Sequence, residues 1–132
     1  MTTRTASCPC GQLKAECTGE PFRISVCHCL DCKRRSGSAF AYQARWPEEQ
    51  VRISGEHKTW ERVADSGNKA CFLFCPNCGS TVAYTSEGMP GTIAIPAGGF
   101  ADVDFPAPRV SVYEERKPNW VEITGDDVDR QW

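Results

Sequence analysis

Ala70-Cys71-Phe72-Leu73-Phe74-Cys75-Pro76-Asn77-Cys78-Gly79 runs a continuous apolar segment straight into two cysteines three positions apart and a glycine. The apolar half predicts a buried strand. The second half has the residues of a zinc knuckle. A tight turn aims both sulfurs at one point, and the glycine permits the close backbone or positive φ that such a turn needs.

Seven of the nine cysteines fall into three clusters of this kind. A tighter clip, Cys8-Pro9-Cys10-Gly11, lies near the N-terminus and also ends in glycine. With Cys75 and Cys78 it supplies four thiolates, enough to close one tetrahedral zinc site. Joining the two pairs would tie the N-terminus to the middle of the chain, a closure that contributes substantially to folding when the core is small. The third cluster, Cys27-His28-Cys29-Leu30-Asp31-Cys32, places three cysteines in six consecutive residues with no fourth at close spacing. Three sulfurs can wrap one face of a second zinc and leave a position open. His28 can in principle fill that position. In an extended Cys-x-Cys, however, its side chain points the other way, which makes it an outer-sphere or surface residue. Cys17 and Cys71 sit in apolar-alternating segments and are expected to pack in the core.

Short stretches of alternating or β-rich residues recur between glycine and proline signals. Leu13, Ala15 and Cys17 form one, Phe22, Ile24 and Val26 another, and Val51 with Ile53 a third. Val82 to Tyr84, Ile93 to Ile95 and Arg109 to Tyr113 add three more, and the one short helical turn is expected near Leu30 to Arg35. This predicts an all-β domain of short strands. No linker divides the 132 residues, so residues 1–132 are expected to form a single domain.

A net charge of −2 and the absence of a long basic stripe argue against nucleic acid as partner. No apolar stretch approaches the ~18 residues of a membrane span. Met1-Thr2-Thr3-Arg4-Thr5 lacks the apolar segment of a signal peptide, so a cytoplasmic location is expected. Thiols stay reduced there, and clustered cysteines read as metal ligands or redox groups.

Three thiolates on Zn²⁺ leave a net charge of −1. Such a zinc acidifies water less well than one held by neutral histidines, but it suits an incoming thiol. A bound thiol is held as thiolate, the nucleophilic form, and its natural electrophile is a small carbonyl or alkyl carbon. The expectation is a reaction that makes or breaks a carbon–sulfur bond.

Taken in order, Cys-x-Cys-Gly (8 to 11), Cys-His-Cys-x-x-Cys with Gly-Ser-x-Phe (27 to 40), Ser-Gly (66 to 67), Phe-Cys-x-x-Cys-Gly-Ser (74 to 80), Pro-Gly (90 to 91), Gly98 to Asp102 and Trp-Val (120 to 121) resemble the glutathione-dependent formaldehyde-activating enzymes, whose domain also occurs in centromere protein V. The resemblance implies an all-β, tent-like fold of short antiparallel sheets stapled by zinc. It implies two zinc ions per chain: a structural one on Cys8, Cys10, Cys75 and Cys78, and a catalytic one on Cys27, Cys29 and Cys32. The implied reaction is condensation of formaldehyde with glutathione, formally a carbon–sulfur lyase run in reverse. In one departure, Arg116-Lys117-Pro118-Asn119-Trp120 has no histidine where relatives often carry one.

Around the open site, Ser38 and Phe40 follow the triplet closely and are candidates to line a pocket. Ser38 is either a hydrogen-bond donor to an aldehyde oxygen or a turn hydroxyl. Arg35, with Lys33 and Arg34, either meets the carboxylates of a glutathione-like thiol or lies on a solvated turn. Gly98 and Gly99 either let backbone N–H groups approach a ligand or make a turn. Trp60 and Trp120 are expected to pack, and Asp102 to bond its own turn. Two other functions compete with the enzyme: a zinc-stabilised protein-binding module without catalysis, and a redox switch using two cysteines of the triplet.

Overall fold

Arg23, Ser25 and Cys27 alternate with Ile24 and Val26, and this two-residue period separates the faces of the molecule. The computed structural model describes all 132 residues and is mainly β. The smaller sheet is antiparallel and orders β1 (Thr3–Ser7), β2 (Lys14–Thr18) and β5 (Val51–Ser54). The larger holds β3 (Arg23–Cys27), β4 (Ala41–Pro47), β6 (Lys58–Val63), β7 (Lys69–Phe74), β8 (Thr81–Ser86), β9 (Thr92–Pro96), β10 (Val110–Val112) and β11 (Asp129–Arg130). Its order is β11-β10-β3-β4-β9-β8-β7-β6. One helix, α1 (Leu30–Ser36), follows β3.

The strands expected around Cys17, Val26, Ile53, Phe72, Ala83, Ala94 and Ser111 are all present as β2, β3, β5, β7, β8, β9 and β10. The structure adds β1, β4, β6 and β11, and it mixes the larger sheet. β10 runs parallel to both β3 and β11, while the other pairings are antiparallel.

The main core lies between one face of the larger sheet and the smaller sheet. Ala6 from β1, Ala15 and Cys17 from β2, and Ala44, Trp46, Ile93 and Ile95 from β4 and β9 meet there. Cys17 is fully buried, as expected, whereas Cys71 is only half-buried. Trp46 closes the core with its indole N–H donating to the Gly19 carbonyl at 2.9 Å. The opposite face of the larger sheet carries a different set. Arg23, Ser25 and Cys27 of β3, Gln43 and Arg45 of β4, and Phe72 and Tyr84 of β7 and β8 line a cavity on that side.

One loop contact sets the geometry near the first metal cluster. Gly55 has φ +104°, and a Cβ there would fall 2.0 Å from the Gln12 carbonyl oxygen. Only glycine tolerates that approach. It brings the loop within reach of Gln12, whose amide donates to the Glu56 carbonyl at 2.6 Å and accepts from the Glu56 N–H at 2.9 Å.

Candidate metal centres

The two outer cysteine pairs are built alike. In each, the glycine after the second cysteine has φ above +80° and donates its N–H back to the carbonyl of the first, Gly11 to Cys8 at 2.9 Å and Gly79 to Cys75 at 2.8 Å. One pair follows β1 and the other follows β7, and their four sulfurs come together within 4.8 Å of one another. The Cys8–Cys10 and Cys10–Cys75 sulfurs are both 3.6 Å apart. A tetrahedral zinc with sulfur at about 2.3 Å needs sulfurs about 3.8 Å apart, close to these two spacings, so the donor set fits the ion. Backbone and amide donors also point at the sulfurs. Leu13 N–H reaches Cys8 Sγ at 3.3 Å, Cys78 N–H reaches Cys75 Sγ at 3.5 Å, and Gln12 Nε2 reaches Cys75 Sγ at 3.0 Å. At Cys75, burial pushes the thiol up, but the donors on its sulfur outweigh that and hold it down to about 6.

Cys27, Cys29 and Cys32 bring three more sulfurs within 4.8 Å of one another, with no other histidine, aspartate or glutamate in the group. Cys27 ends β3. Cys29 is the N-cap of α1, and its sulfur accepts the Cys32 N–H at 3.3 Å. Gly37, left-handed at φ +64°, ends the helix and turns the chain away. The three thiols compete for charge. Hydrogen bonds from the Cys27 and Cys32 thiols hold Cys29 down to about 2, while the Cys27 thiol is pushed up, first through its bond to the Cys29 sulfur. A divalent cation resolves that conflict and lets all three ionise, so this donor set also fits zinc.

His28 is not part of that set. It is fully buried, and its Nε2 lies 2.9 Å from Ser111 Oγ. Ser111 donates its one hydroxyl proton to Glu114 Oε2 and therefore accepts from His28 Nε2–H. Glu114 is itself buried and is flanked by Arg130 at 3.5 Å and Lys117 at 3.9 Å. The His28 N–H also donates to the Val112 carbonyl at 3.1 Å. The residue between the two cysteines is thus pinned at backbone and side chain, which holds the Cys27–Cys29 loop from behind. Glu114→Ala is expected to lower folding stability by about 1–3 kcal/mol, because Ser111 and His28 lose their terminal acceptor. It should also weaken zinc at the triplet about 10- to 100-fold in a chelator competition, while Glu114→Gln, which can still accept from Ser111, recovers most of both. An Ala variant with wild-type zinc affinity would show that the chain of bonds does not reach the metal.

A cavity of about 450 Å³ opens beside the three sulfurs. Six arginines line it, Arg23, Arg34, Arg35, Arg45, Arg62 and Arg116, against two acids, Asp31 and Asp65. Arg62 pairs with Asp31 at 2.7 Å and Arg34 reaches the same carboxylate at 3.7 Å. The remaining charge is strongly positive, so the cavity attracts anions. Arg35 lies over the rings of Tyr84 and Phe72, 5.0 and 5.3 Å from their centres.

Of the four residues expected on the substrate side, only Arg35 lines this cavity. Ser38, Phe40 and Gly98 do not line it. Ser38 is exposed beyond the Gly37 turn. Phe40 has the parity of Tyr42 and Ala44, so it faces away from the cavity; its ring meets the buried His28 edge-on at 5.8 Å and packs on the Val26–Val121–Ile123 cluster. Gly98 lies in a 3-10 turn, Ala97–Phe100, that packs against β1 on the far side of the sheet. Trp120 does not pack as expected, being 80% exposed, whereas Trp60 is half-exposed and lies 5.6 Å from the Phe72 ring. Asp102 does bond its own turn, accepting the Asp104 N–H at 2.9 Å. Gln43, Arg45, Tyr84 and Tyr113 line the cavity and were not foreseen. Ser25 and Arg23 were within reach of the sequence, since they alternate back from Cys27 along β3.

A family model described as glutathione-dependent formaldehyde-activating enzyme matches residues 3–116. A curated protein of Halomonas elongata, named "Putative glutathione-dependent formaldehyde-activating enzyme", is 27% identical over 131 residues, covering 94% of this chain and 83% of its own. A crystal structure of a Rhodobacter sphaeroides protein superposes with a TM-score of 0.53 at 20% identity, covering 80% of this chain and 92% of the other, and so shares the fold.

Proposed function

The chain belongs to the glutathione-dependent formaldehyde-activating enzyme family, and from that membership we propose that it is a zinc-dependent enzyme of carbon–sulfur lyase type. It adds glutathione or a similar thiol to formaldehyde or another small carbonyl, or runs the same reaction in reverse. The observation that carries this reading is the three-sulfur centre at the wall of a cationic cavity. A purely structural zinc would want a fourth protein donor, and no histidine or carboxylate joins these three sulfurs.

Cys27, Cys29 and Cys32 would hold the ion, and its open position would take a thiol as the nucleophilic thiolate. The protein supplies the rest. His28, Ser111 and Glu114 hold the ligand loop in place. The arginines draw in an anionic thiol and keep its charged groups off the reacting carbon. Phe72 and Tyr84 give the cavity an apolar wall that excludes water. The sulfur–carbon bond forms as the carbonyl electron pair moves to oxygen, and that oxygen takes up a proton, so that thiol plus formaldehyde yields a hydroxymethyl thioether. Tyr113 lines the cavity and would supply a proton to that oxygen.

Exchange NMR on formaldehyde mixed with a panel of thiols tests this. Zinc-loaded protein should speed the interconversion of thiol and hydroxymethyl thioether above the spontaneous rate for at least one anionic thiol. Line shapes unchanged across the panel would count against the enzyme and leave the zinc-stabilised binding module.

A further inference from the structure

Arg23 and Arg45 stand directly opposite each other on β3 and β4. Like charges in that position repel and weaken a sheet unless something neutralises them. No carboxylate lies within salt-bridge distance of either one, although the chain carries 17 acidic residues. Arg45 is held by an aromatic ring instead, its guanidinium 5.6 Å from the centre of Tyr84. A ring fixes the cation in place without cancelling its charge. One guanidinium nitrogen, Nη1, is buried with no acceptor in the protein.

Gln43, one step along the same face of β4, repeats the pattern. It is 5% exposed, its Nε2 donates to Ser25 Oγ at 2.9 Å, and its Oε1 is buried without a partner. Whichever way the amide is turned, one polar end meets Ser25 and the other is left over. Buried polar atoms are almost always satisfied, so two orphans on adjacent cavity-facing positions call for a ligand. The stripe is continuous with the metal centre, because Cys27, Ser25 and Arg23 alternate along one face of β3 and all three line the cavity.

We propose that Arg45 forms a carboxylate subsite on the sheet floor of the cavity, with Gln43 beside it for a polar group of the same ligand, and that this subsite selects thiols that carry a carboxylate over neutral thiols of the same skeleton. Resting on the thiol chemistry proposed above, it adds how the thiol is chosen: sulfur at the triplet, carboxylate on Arg45, and a polar group of the connecting chain on Gln43. Arg23 supplies a second positive charge, and binding an anion relieves its repulsion from Arg45.

The test is calorimetric titration of the two-zinc protein and its Arg45→Met variant with glutathione, glutathione diethyl ester and S-methylglutathione. The diester keeps the thiol and blocks both carboxylates; the S-methyl compound keeps both carboxylates and blocks the thiol. Wild type should bind glutathione at least about 10-fold more tightly than the diester, as expected for a charge-assisted contact. Arg45→Met should erase that preference without weakening the diester. Its melting temperature should stay level or rise, since a like-charge pair is gone; a structural arginine would give the reverse. A preference that survives in Arg45→Met overturns the subsite and leaves the thiol reaction standing. If S-methylglutathione binds as tightly as glutathione, with both weakened in Arg45→Met, the subsite holds and the thiol–zinc reading falls. If none of the three binds, both are overturned.

Discussion

Cys29→Ser is expected to give a folded protein that carries one zinc instead of two and turns over at least about 100-fold more slowly. The size follows from what is removed. Loss of a group that merely orients a ligand costs about 10- to 100-fold in metal affinity or activity, and loss of one of only three ligands should cost no less. A serine hydroxyl stays protonated at neutral pH and does not replace a thiolate. The fold is spared for a local reason. Cys29 is the N-cap of α1, where its sulfur accepts the Cys32 N–H. Serine is among the best residues at an N-cap, so the helix start is kept while the ligand is lost. Zinc content of the reduced variant, its circular dichroism and its exchange NMR together decide the matter. A one-zinc, folded protein with undiminished turnover would move the chemistry away from the triplet, and a variant that keeps both zincs would show that Cys29 is not a ligand.

The cysteine clusters were legible because a metal site needs its ligands close in space, and here most of that closeness is written as short spacing. What spacing along the chain conveys less well is direction. Ser38 and Phe40 sit near Cys32 in sequence, but the left-handed Gly37 turn and the parity of β4 carry them off the cavity face. The strand that supplies the cavity floor carries a signature of its own: over Ala41 to Pro47, apolar Tyr42, Ala44 and Trp46 alternate with polar Gln43 and Arg45, the two-residue period of a strand with one face on the core. Its place beside Cys27 is what the period does not give. β6 lacks any such signal, because an edge strand with almost every residue exposed has little apolar pattern at all. The juxtaposition of Arg23 and Arg45, 22 residues apart, exists only through the register of β3 on β4.

Cys75→Ser should do more than Cys29→Ser and do it differently: it should unfold the protein. Structural zinc sites contribute about 10–16 kcal/mol of binding free energy, as much as the whole stability of a typical domain, about 5–15 kcal/mol. Here the site joins two elements that are otherwise held mainly by packing. Cys8 and Cys10 continue β1 of the smaller sheet, and Cys75 and Cys78 continue β7 of the larger. Cys8 and Cys75 also belong to the main core cluster, so a metal held there and the apolar packing would act as one cooperative unit. Gln12 adds a third strut, since its amide bonds both Cys75 Sγ and the loop at Glu56. The variant is expected to show no cooperative thermal transition, or a midpoint at least about 20 °C below wild type. Wild-type protein titrated with a strong chelator should lose its zinc in two stages. Activity goes first, as the open three-sulfur centre gives up its ion with the fold intact. Structure goes second, when the closed four-sulfur centre is stripped. A Cys75→Ser protein melting within a few degrees of wild type would mean that packing alone holds the two sheets together, and that the four-sulfur centre is an ornament of a fold that does not need it.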